Sequence, residues 1–201
     1  MKRILIAYAT KSGSTAEVAE TIGKELSQAG ARVDVRPISA VHDLSTYDAV
    51  IVGGPMIMGW HREAVQFLEK NQSALSQVPV ACFLTALSLT ETQTGFDSIP
   101  VYKDASLAKP PPTKGRTNAD KLSFKERYAT VASYLQPVLK KAPQVKPVSA
   151  AFFAGKLDYD TLDILSRLFV QVIIGAKPGD YRNWDAIRAW AAGLHPALAK
   201  A

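Results

Sequence analysis

The fold of this chain is decided by Arg3-Ile4-Leu5-Ile6-Ala7-Tyr8-Ala9 and the turn that follows it, Thr10-Lys11-Ser12-Gly13-Ser14-Thr15. The first run is almost continuously apolar, which is typical of a strand buried on both faces of a parallel sheet. The turn is small and rich in hydroxyl groups. Apolar residues at helical spacing follow it, and a glycine then closes the predicted helix: Val18, Ala19, Ile22, Leu26 and Gly30. The chain is therefore predicted to begin as strand, polar turn and helix.

Strand and helix patterns alternate through the rest of the chain. Apolar or alternating runs predict four further strands, over 33–38, 49–54, 78–85 and 148–155. Helical spacing of apolar residues predicts helices over 63–70, 124–141, 160–174 and 184–194. This alternation predicts an α/β fold with a parallel sheet and right-handed crossovers.

Composition places the chain among compact globular proteins. It has 201 residues, of which 47% are hydrophobic and 21% charged, so we expect a single domain over 1–201. The one cysteine, Cys82, excludes an internal disulfide framework and a Cys-rich zinc site, and we expect it to be packed. No run approaches the ~20 apolar residues of a membrane span, and the start does not resemble a signal peptide. We therefore expect a cytoplasmic protein.

Positive charge is concentrated in the middle of the chain. The net charge is +6, and residues 91–147 carry ten Lys/Arg against five Asp/Glu. Within them, 91–122 is irregular and contains Lys109-Pro110-Pro111-Pro112, which predicts a long insertion after the fourth strand. The basic excess is interpreted either as a solvated face or as a patch for an anionic substrate, an acidic partner or an anionic membrane surface.

The turn after the first strand has the chemistry of an anion site. Gly13 allows a tight backbone turn, and the N–H groups of 11–15 face one spot beside the positive end of a helix dipole. Four hydroxyls add to this donor set: Thr10, Ser12, Ser14 and Thr15. The alternative is a helix cap with surplus serines. Lys11 either adds charge there or points to solvent.

Several phosphate-binding signatures are excluded by the same residues. The chain lacks Gly-Lys-Ser/Thr, and only Gly13 of a dinucleotide Gly-x-Gly-x-x-Gly pattern is present. The third strand ends in Gly53-Gly54-Pro55 rather than in the aspartate of a phospho-receiver. What remains is the capture of a terminal monophosphate, such as the one that FMN carries.

These motifs resemble the flavodoxin family. Thr10-x-Ser12-Gly13-x-Thr15 is similar to its FMN phosphate loop, with serine in place of threonine at 12. Gly53 to His61 and Thr85 to Ser88 resemble the loops that flank the flavin ring in that family. The resemblance implies a flavodoxin-like three-layer sandwich with a five-stranded parallel sheet of order 2-1-3-4-5. It also implies ring contacts from Pro55, Met56, Ile57, Met58, Gly59, Trp60, Thr85, Ala86, Leu87 and Ser88. Core packing is the alternative for the apolar members of this set.

The C-terminal part of the chain resembles one particular group within this family. Residues 153–159 and Gly179-Asp180-Tyr181-Arg182-Asn183-Trp184 are similar to the flavodoxin-domain group that includes menaquinone-dependent protoporphyrinogen IX dehydrogenase. Lys156 to Asp160 is acidic where that dehydrogenase has an arginine-bearing stretch. A porphyrin with two propionates would prefer cations there.

The function implied is that of an FMN-dependent oxidoreductase that exchanges electrons with a quinone or another small redox substrate. Three alternatives stay open: a protoporphyrinogen IX dehydrogenase-like enzyme, a one-electron flavodoxin-type carrier, and a domain that holds FMN only structurally. The net charge of +6 argues against the carrier, because flavodoxin carriers are typically acidic.

The sequence predicts less about binding partners and catalytic side chains than about the cofactor. We expect no nucleic-acid partner, no metal site and no catalytic side chain that can be named. Peripheral membrane contact and a homodimer stay open. His61 is interpreted either as a proton donor to reduced flavin or as an exposed residue at a helix start. The insertion at 91–122 is expected to cover or shape the substrate side of the flavin.

Overall fold

A computed structural model describes residues 1–56, 59–90, 96, 99–109, 129–158 and 177–199 of the chain. The predicted helix over 160–174 and most of the insertion at 91–122 lie outside the described residues.

The described part contains ten strands and five α-helices. In chain order the strands are β1 (Arg3–Tyr8), β2 (Arg32–Pro37), β3 (Ala49–Pro55), β4 (Val80–Ala86), β5 (Leu89–Thr90), β6 (Val101–Lys103), β7 (Ala108–Lys109), β8 (Pro147–Ala154), β9 (Lys156–Leu157) and β10 (Gly179–Asp180). The helices are α1 (Ser14–Gln28), α2 (Arg62–Lys70), α3 (Gln72–Leu75), α4 (Val131–Lys141) and α5 (Trp184–Ala199), and a 3₁₀ turn spans Ile38–Ala40.

The main sheet is parallel and has the order β2-β1-β3-β4-β8-β6. The α/β class is confirmed, and so is the order of the five predicted strands, because the fifth of them, predicted over 148–155, is β8 and follows β4 in the sheet. The expected count of five strands is wrong, because β6 adds a sixth strand at the edge, pairing Val101–Lys103 with Ala150–Phe152. A strand of three residues is too short for its side-chain period to stand out within an irregular segment.

Helices cover both faces of the sheet. Alternate residues of β1 point to opposite sides, so Leu5 and Ala7 join the core beneath α2 and α4. Ile4 and Ile6 join a second core beneath α1 and α5. Burial on both sides is the reason that the first strand reads as a continuous apolar run.

The end of α1 is set by Gly30, as predicted. Gly30 has φ +91°, its N–H donates to the Ser27 carbonyl, and the Ala31 N–H donates to the Leu26 carbonyl. These two bonds form a Schellman motif, which satisfies the last carbonyls of the helix and turns the chain back into β2.

Among the described helices, none combines the length and the apolar character that crossing a bilayer requires.

Candidate functional site

The turns after β1, β3 and β4 meet at the carboxyl edge of the sheet, because these three strands are parallel neighbours. Backbone hydrogen bonds join the turns directly. The Ala9 N–H donates to the Gly53 carbonyl at 2.9 Å, and the Met56 N–H donates to the Thr85 carbonyl at 2.8 Å. The three segments singled out from the sequence therefore lie side by side.

The turn between β1 and α1 is held by Thr10 and Gly13. Gly13 lies in the left-handed region at φ +83°, and its N–H donates to Thr10 Oγ1 at 3.0 Å. A hydroxyl that accepts one hydrogen bond keeps its own proton, so Thr10 can still donate to an anion. The first N–H groups of α1, on Ser14 and Thr15, have no carbonyl partner within the helix. Ser12 is exposed and Ser14 half-buried, so both hydroxyls are accessible at the turn.

Thr15 does not share this accessibility. Its side chain is fully buried, and its Oγ1 lies 3.3 Å from Thr85 Oγ1 on the turn after β4. The sequence predicted four hydroxyls facing one ligand. The structure places Thr15 beneath the turn instead, where it connects the predicted phosphate loop to the predicted ring loop.

Two glycines near the end of β3 allow aromatic rings to pack directly against the strand. A Cβ on Gly53 would lie 1.9 Å from the ring of Phe83, and a Cβ on Gly54 would lie 2.8 Å from the indole nitrogen of Trp60. The Trp60 Nε1–H donates to the Gly54 carbonyl at 3.2 Å. Gly53 and Gly54 are thus required by the packing of the aromatic rings around them.

The loop after β3 contributes less open apolar surface than the sequence suggested. Met56 and Trp60 pair across the loop and are only 8% and 7% exposed, within the core beneath α2 and α4. Pro55 is half-buried, and Gly59 is exposed at φ +129°. The predicted contacts of Ile57 and Met58 lie outside the described residues. For Met56 and Trp60 the structure shows core packing, the alternative given above.

The loop after β4 is anchored from α4. Thr85 and Ala86 are buried, Leu87 and Ser88 half-buried, and the Tyr134 hydroxyl donates to the Ser88 carbonyl at 3.0 Å. Burial raises the pKa of Tyr134 to about 12, so the phenol stays protonated at neutral pH and keeps its role as donor.

His61 lies between the loop after β3 and the start of α2. It is half-buried, and its backbone N–H donates to the Pro55 carbonyl at 3.1 Å. Its Nδ1 is buried and has no hydrogen-bond partner within the described residues. A buried imidazole nitrogen beside the site is a group that a bound molecule can satisfy.

Two residues at the site were not identified from the sequence. Arg182 donates through Nη1 to the Ser14 carbonyl at 3.1 Å, so the C-terminal segment reaches the first turn of α1. Asp104 is fully buried and accepts hydrogen bonds from the Ala154 N–H and from Asn183 Nδ2. A motif in the sequence contained Arg182, but spacing alone does not show which carbonyl a distant guanidinium reaches.

The possible metal ligands and the single thiol can be located within the described residues. In that part of the chain, His, Cys, Asp and Glu side chains form no cluster of three that could hold a metal ion. Cys82 is buried as expected, and burial raises the pKa of its thiol to about 12, which keeps it uncharged.

Comparison with known proteins identifies the class. The model of the family described as "Flavodoxin domain" matches residues 5–182, and the chain belongs to this family. Among proteins of known function it is similar to the protoporphyrinogen IX dehydrogenase [quinone] of Escherichia coli strain K12. The two are 22% identical over 200 residues, which cover 94% of this chain and 92% of that one.

Solved structures show the same fold. An NADH:FMN oxidoreductase superposes with a TM-score of 0.53 at 13% identity, covering all of this chain and 92% of the other. A flavodoxin from the domain Archaea superposes with a TM-score of 0.50 at 10% identity, covering 98% of this chain and 99% of the other. The rubredoxin oxygen:oxidoreductase of Desulfovibrio gigas gives 0.52 at 12% identity; this chain spans 38% of its length.

Proposed function

We propose that this protein is an FMN-dependent oxidoreductase that exchanges electrons with a quinone or another small redox substrate. The observation that carries the proposal is the Gly13 turn, where a left-handed glycine and the Thr10 hydroxyl expose the first N–H groups of α1. A Cβ built on Gly13 meets nothing within 4 Å, so the turn borders open space. Its N–H and O–H donors suit a phosphate dianion, so these residues fit FMN.

The roles of the residues follow from their positions. The N–H groups of 11, 12, 14 and 15, with the hydroxyls of Thr10, Ser12 and Ser14, bind the phosphate, and Lys11 adds positive charge. The Gly13 N–H is used within the turn, where it donates to Thr10. Thr15 supports the turn from below through its contact with Thr85. When bound, FMN supplies the electron chemistry, and the protein contributes binding, orientation and exclusion of water.

The loops after β3 and β4 would hold the flavin ring in this proposal. Of the described residues, Pro55, Met56, Gly59 and Trp60 would flank one side of the ring, with Met56 and Trp60 packed into the core beneath it, and Thr85 to Ser88 would flank the other. His61 precedes α2 at the edge of this region, and its buried Nδ1, which has no hydrogen-bond partner within the described residues, is available to a bound molecule.

The whole chain forms one domain in this proposal, with an insertion over 91–122 whose described strand β7 pairs with the segment that follows Thr85–Ser88. β5 directly follows the ring loop, and it pairs with β7 of the insertion, Leu89 with Ala108 and Thr90 with Lys109. This pairing supports the expectation that the insertion shapes the substrate side of the site.

A quinone is favoured as partner because the Escherichia coli relative is named as a quinone-linked enzyme. The alternative, a protoporphyrinogen IX dehydrogenase, is weakened by the acidic character of 156–160. A one-electron carrier is disfavoured by the net charge of +6, which also favours peripheral contact with an anionic membrane.

An anaerobic reductive titration of the FMN-loaded protein, followed by visible absorption, tests the proposal. We expect the spectrum to pass from the oxidised to the two-electron reduced form without a third species at half-reduction. A third species that accumulates there would favour the carrier. A protein that retains no flavin would overturn the proposal. A turnover screen with quinones and with protoporphyrinogen then separates the two enzyme alternatives.

A further inference from the structure

Arg182 is a buried cation held by a dense set of partners. Only 4% of its side chain is exposed, although it follows the exposed Asp180 by two residues. Its Nε and Nη2 donate to the two carboxylate oxygens of Asp180 at 2.8 and 2.6 Å, and its guanidinium carbon lies 4.5 Å from the centre of the Trp184 ring. The bidentate pair and the stacked ring fix the plane of the guanidinium.

The remaining edge of this guanidinium faces the start of α1. Nη1 donates to the Ser14 carbonyl at 3.1 Å and pairs with Glu17 at 3.0 Å. Ser14 directly follows the left-handed Gly13, and Glu17 lies in the first turn of the helix. One side chain therefore joins the C-terminal segment to the first turn of α1 across 168 residues of sequence.

The geometry of this contact is more important than its charge. The positive charge of Arg182 is balanced by the carboxylates of Asp180 and Glu17. These three side chains together therefore add no net positive charge that would attract an anion. What it fixes is the peptide unit that contains the Ser14 carbonyl and the Thr15 N–H, and through it the adjoining Ser14 N–H at the helix end.

We propose that Arg182 is a positioning residue for the phosphate of FMN, and this rests on the function proposed above. It holds the first turn of α1 so that the N–H donors of Ser14 and Thr15 keep the direction that phosphate binding requires. A lysine cannot replace it, because one ammonium group cannot donate in a single plane to Asp180, Glu17 and the Ser14 carbonyl together.

The test compares two ligands that differ only in the phosphate. Dissociation constants for FMN and for riboflavin are measured with wild type and with Arg182→Lys. We expect FMN to bind about tenfold or more weakly in the variant, the order expected for losing charge-assisted hydrogen bonds, and riboflavin affinity to stay within about twofold. Arg188→Lys is the matched control, since Arg188 forms an exposed ion pair with Asp185 in the same region.

Each outcome has a defined meaning. If wild type binds FMN no better than riboflavin, the proposed phosphate site fails, whatever Arg182 does. If wild type prefers FMN and Arg182→Lys keeps that preference, the positioning role is overturned. An equal loss for both ligands indicates general destabilisation and also overturns it. Should Arg182→Lys not fold, Asp180→Asn decides: a selective loss of FMN affinity supports the proposal, and an unchanged preference contradicts it.

Discussion

The hydroxyls of Thr15 and Thr85 lie 3.3 Å apart in the interior, although 70 residues separate them in sequence. Thr15 stands in the first turn of α1 and Thr85 near the end of β4, two strands away from β1. The pair connects the loop proposed to bind the phosphate with the loop proposed to flank the flavin ring. A change at one loop can therefore reach the other through a single polar contact.

Replacing Thr15 with valine tests this contact. Thr15→Val keeps the shape of the side chain but leaves the Thr85 hydroxyl buried without this partner. We expect the free energy of unfolding to fall by about 1–2 kcal/mol, the usual cost of an orphaned buried hydroxyl. Urea unfolding followed by circular dichroism measures the change.

The double variant Thr15→Val/Thr85→Val is the control for the same experiment. Removing both hydroxyls leaves no orphaned group, so its stability should return to within about 1 kcal/mol of wild type. Additive losses from the two substitutions would show that the hydroxyls do not interact.

Gly53 should tolerate no side chain at all. The Cβ of Gly53→Ala would lie 1.9–2.6 Å from atoms of the Phe83 ring, which is fully buried. We expect a loss of about 3 kcal/mol, at the upper end of overpacking effects. Gly155→Ala is the control, because its Cβ would meet the Ala86 carbonyl oxygen at an ordinary 3.5 Å. Similar melting temperatures for the two variants would contradict the close packing at the end of β3.

Asp104 should be far more important for stability than a surface aspartate in the same local motif. Asp104 and Asp43 each accept hydrogen bonds from the N–H and the hydroxyl of a serine two residues later. Asp43 is exposed, whereas Asp104 is buried and also accepts from Ala154 and Asn183. We expect Asp104→Asn to cost about 2–3 kcal/mol of unfolding free energy, because both carboxyl oxygens accept N–H groups and the amide nitrogen of asparagine cannot accept in place of either one.

Asp43→Asn provides the comparison and should cost less than about 0.5 kcal/mol, as most surface substitutions do. Chemical denaturation of both variants measures the difference. Equal costs would mean that the buried bonds from Ala154 and Asn183 contribute nothing.

Asp180 should make the thermal stability of the protein depend on pH in the acidic range. The hydrogen bonds from Arg182 hold the pKa of the Asp180 carboxyl below its ordinary value. A lowered folded-state pKa contributes stability that is present above the unfolded pKa of about 3.9 and is lost as pH falls through the folded value. Asp180→Asn should therefore lower the melting temperature at pH 7 and match wild type in strong acid.

Melting temperatures from pH 7 to pH 2 test this expectation, with Asp185→Asn as control. Asp185 is 92% exposed in its pair with Arg188, so its substitution should change the melting temperature little at any pH. A gap between Asp180→Asn and wild type that persists unchanged to pH 2 would contradict the role given to the Asp180–Arg182 pair.

Local patterns in the sequence were sufficient to predict the central strands and to bring the turns after β1, β3 and β4 to one edge of the sheet. A continuous apolar run such as Ile4–Ala7 is typical of a strand buried on both faces, and carboxyl ends of neighbouring parallel strands must lie together. The edge strand β6 was missed because three residues carry too little periodicity. The direction of buried polar groups, such as the Thr15 hydroxyl, depends on packing between distant segments and has no local signal.

The apolar loop after β3 shows a second limit. Met56 and Trp60 have the composition of a flavin-contacting wall, but the structure buries both in the core. The absence of side chains at Gly53 and Gly54 admits the rings of Phe83 and Trp60. Composition indicates what chemistry such residues can supply. Which of them are buried in the core depends on how closely the aromatic rings can approach the backbone, and here Gly53 and Gly54 allow that approach.

The measurement that tests the central claim most directly is the FMN dissociation constant of Gly13→Asp against Gly13→Asn. Both side chains have nearly the same size and tolerate a left-handed backbone, so the comparison isolates one negative charge at the turn. Gly30→Asp controls for the backbone effect, because Gly30 has a similar φ of +91° and also borders open space. We predict that FMN binds Gly13→Asp at least about tenfold more weakly than Gly13→Asn, with wild-type affinity in Gly30→Asp. Equal FMN affinity in the two Gly13 variants would contradict a phosphate site at this turn.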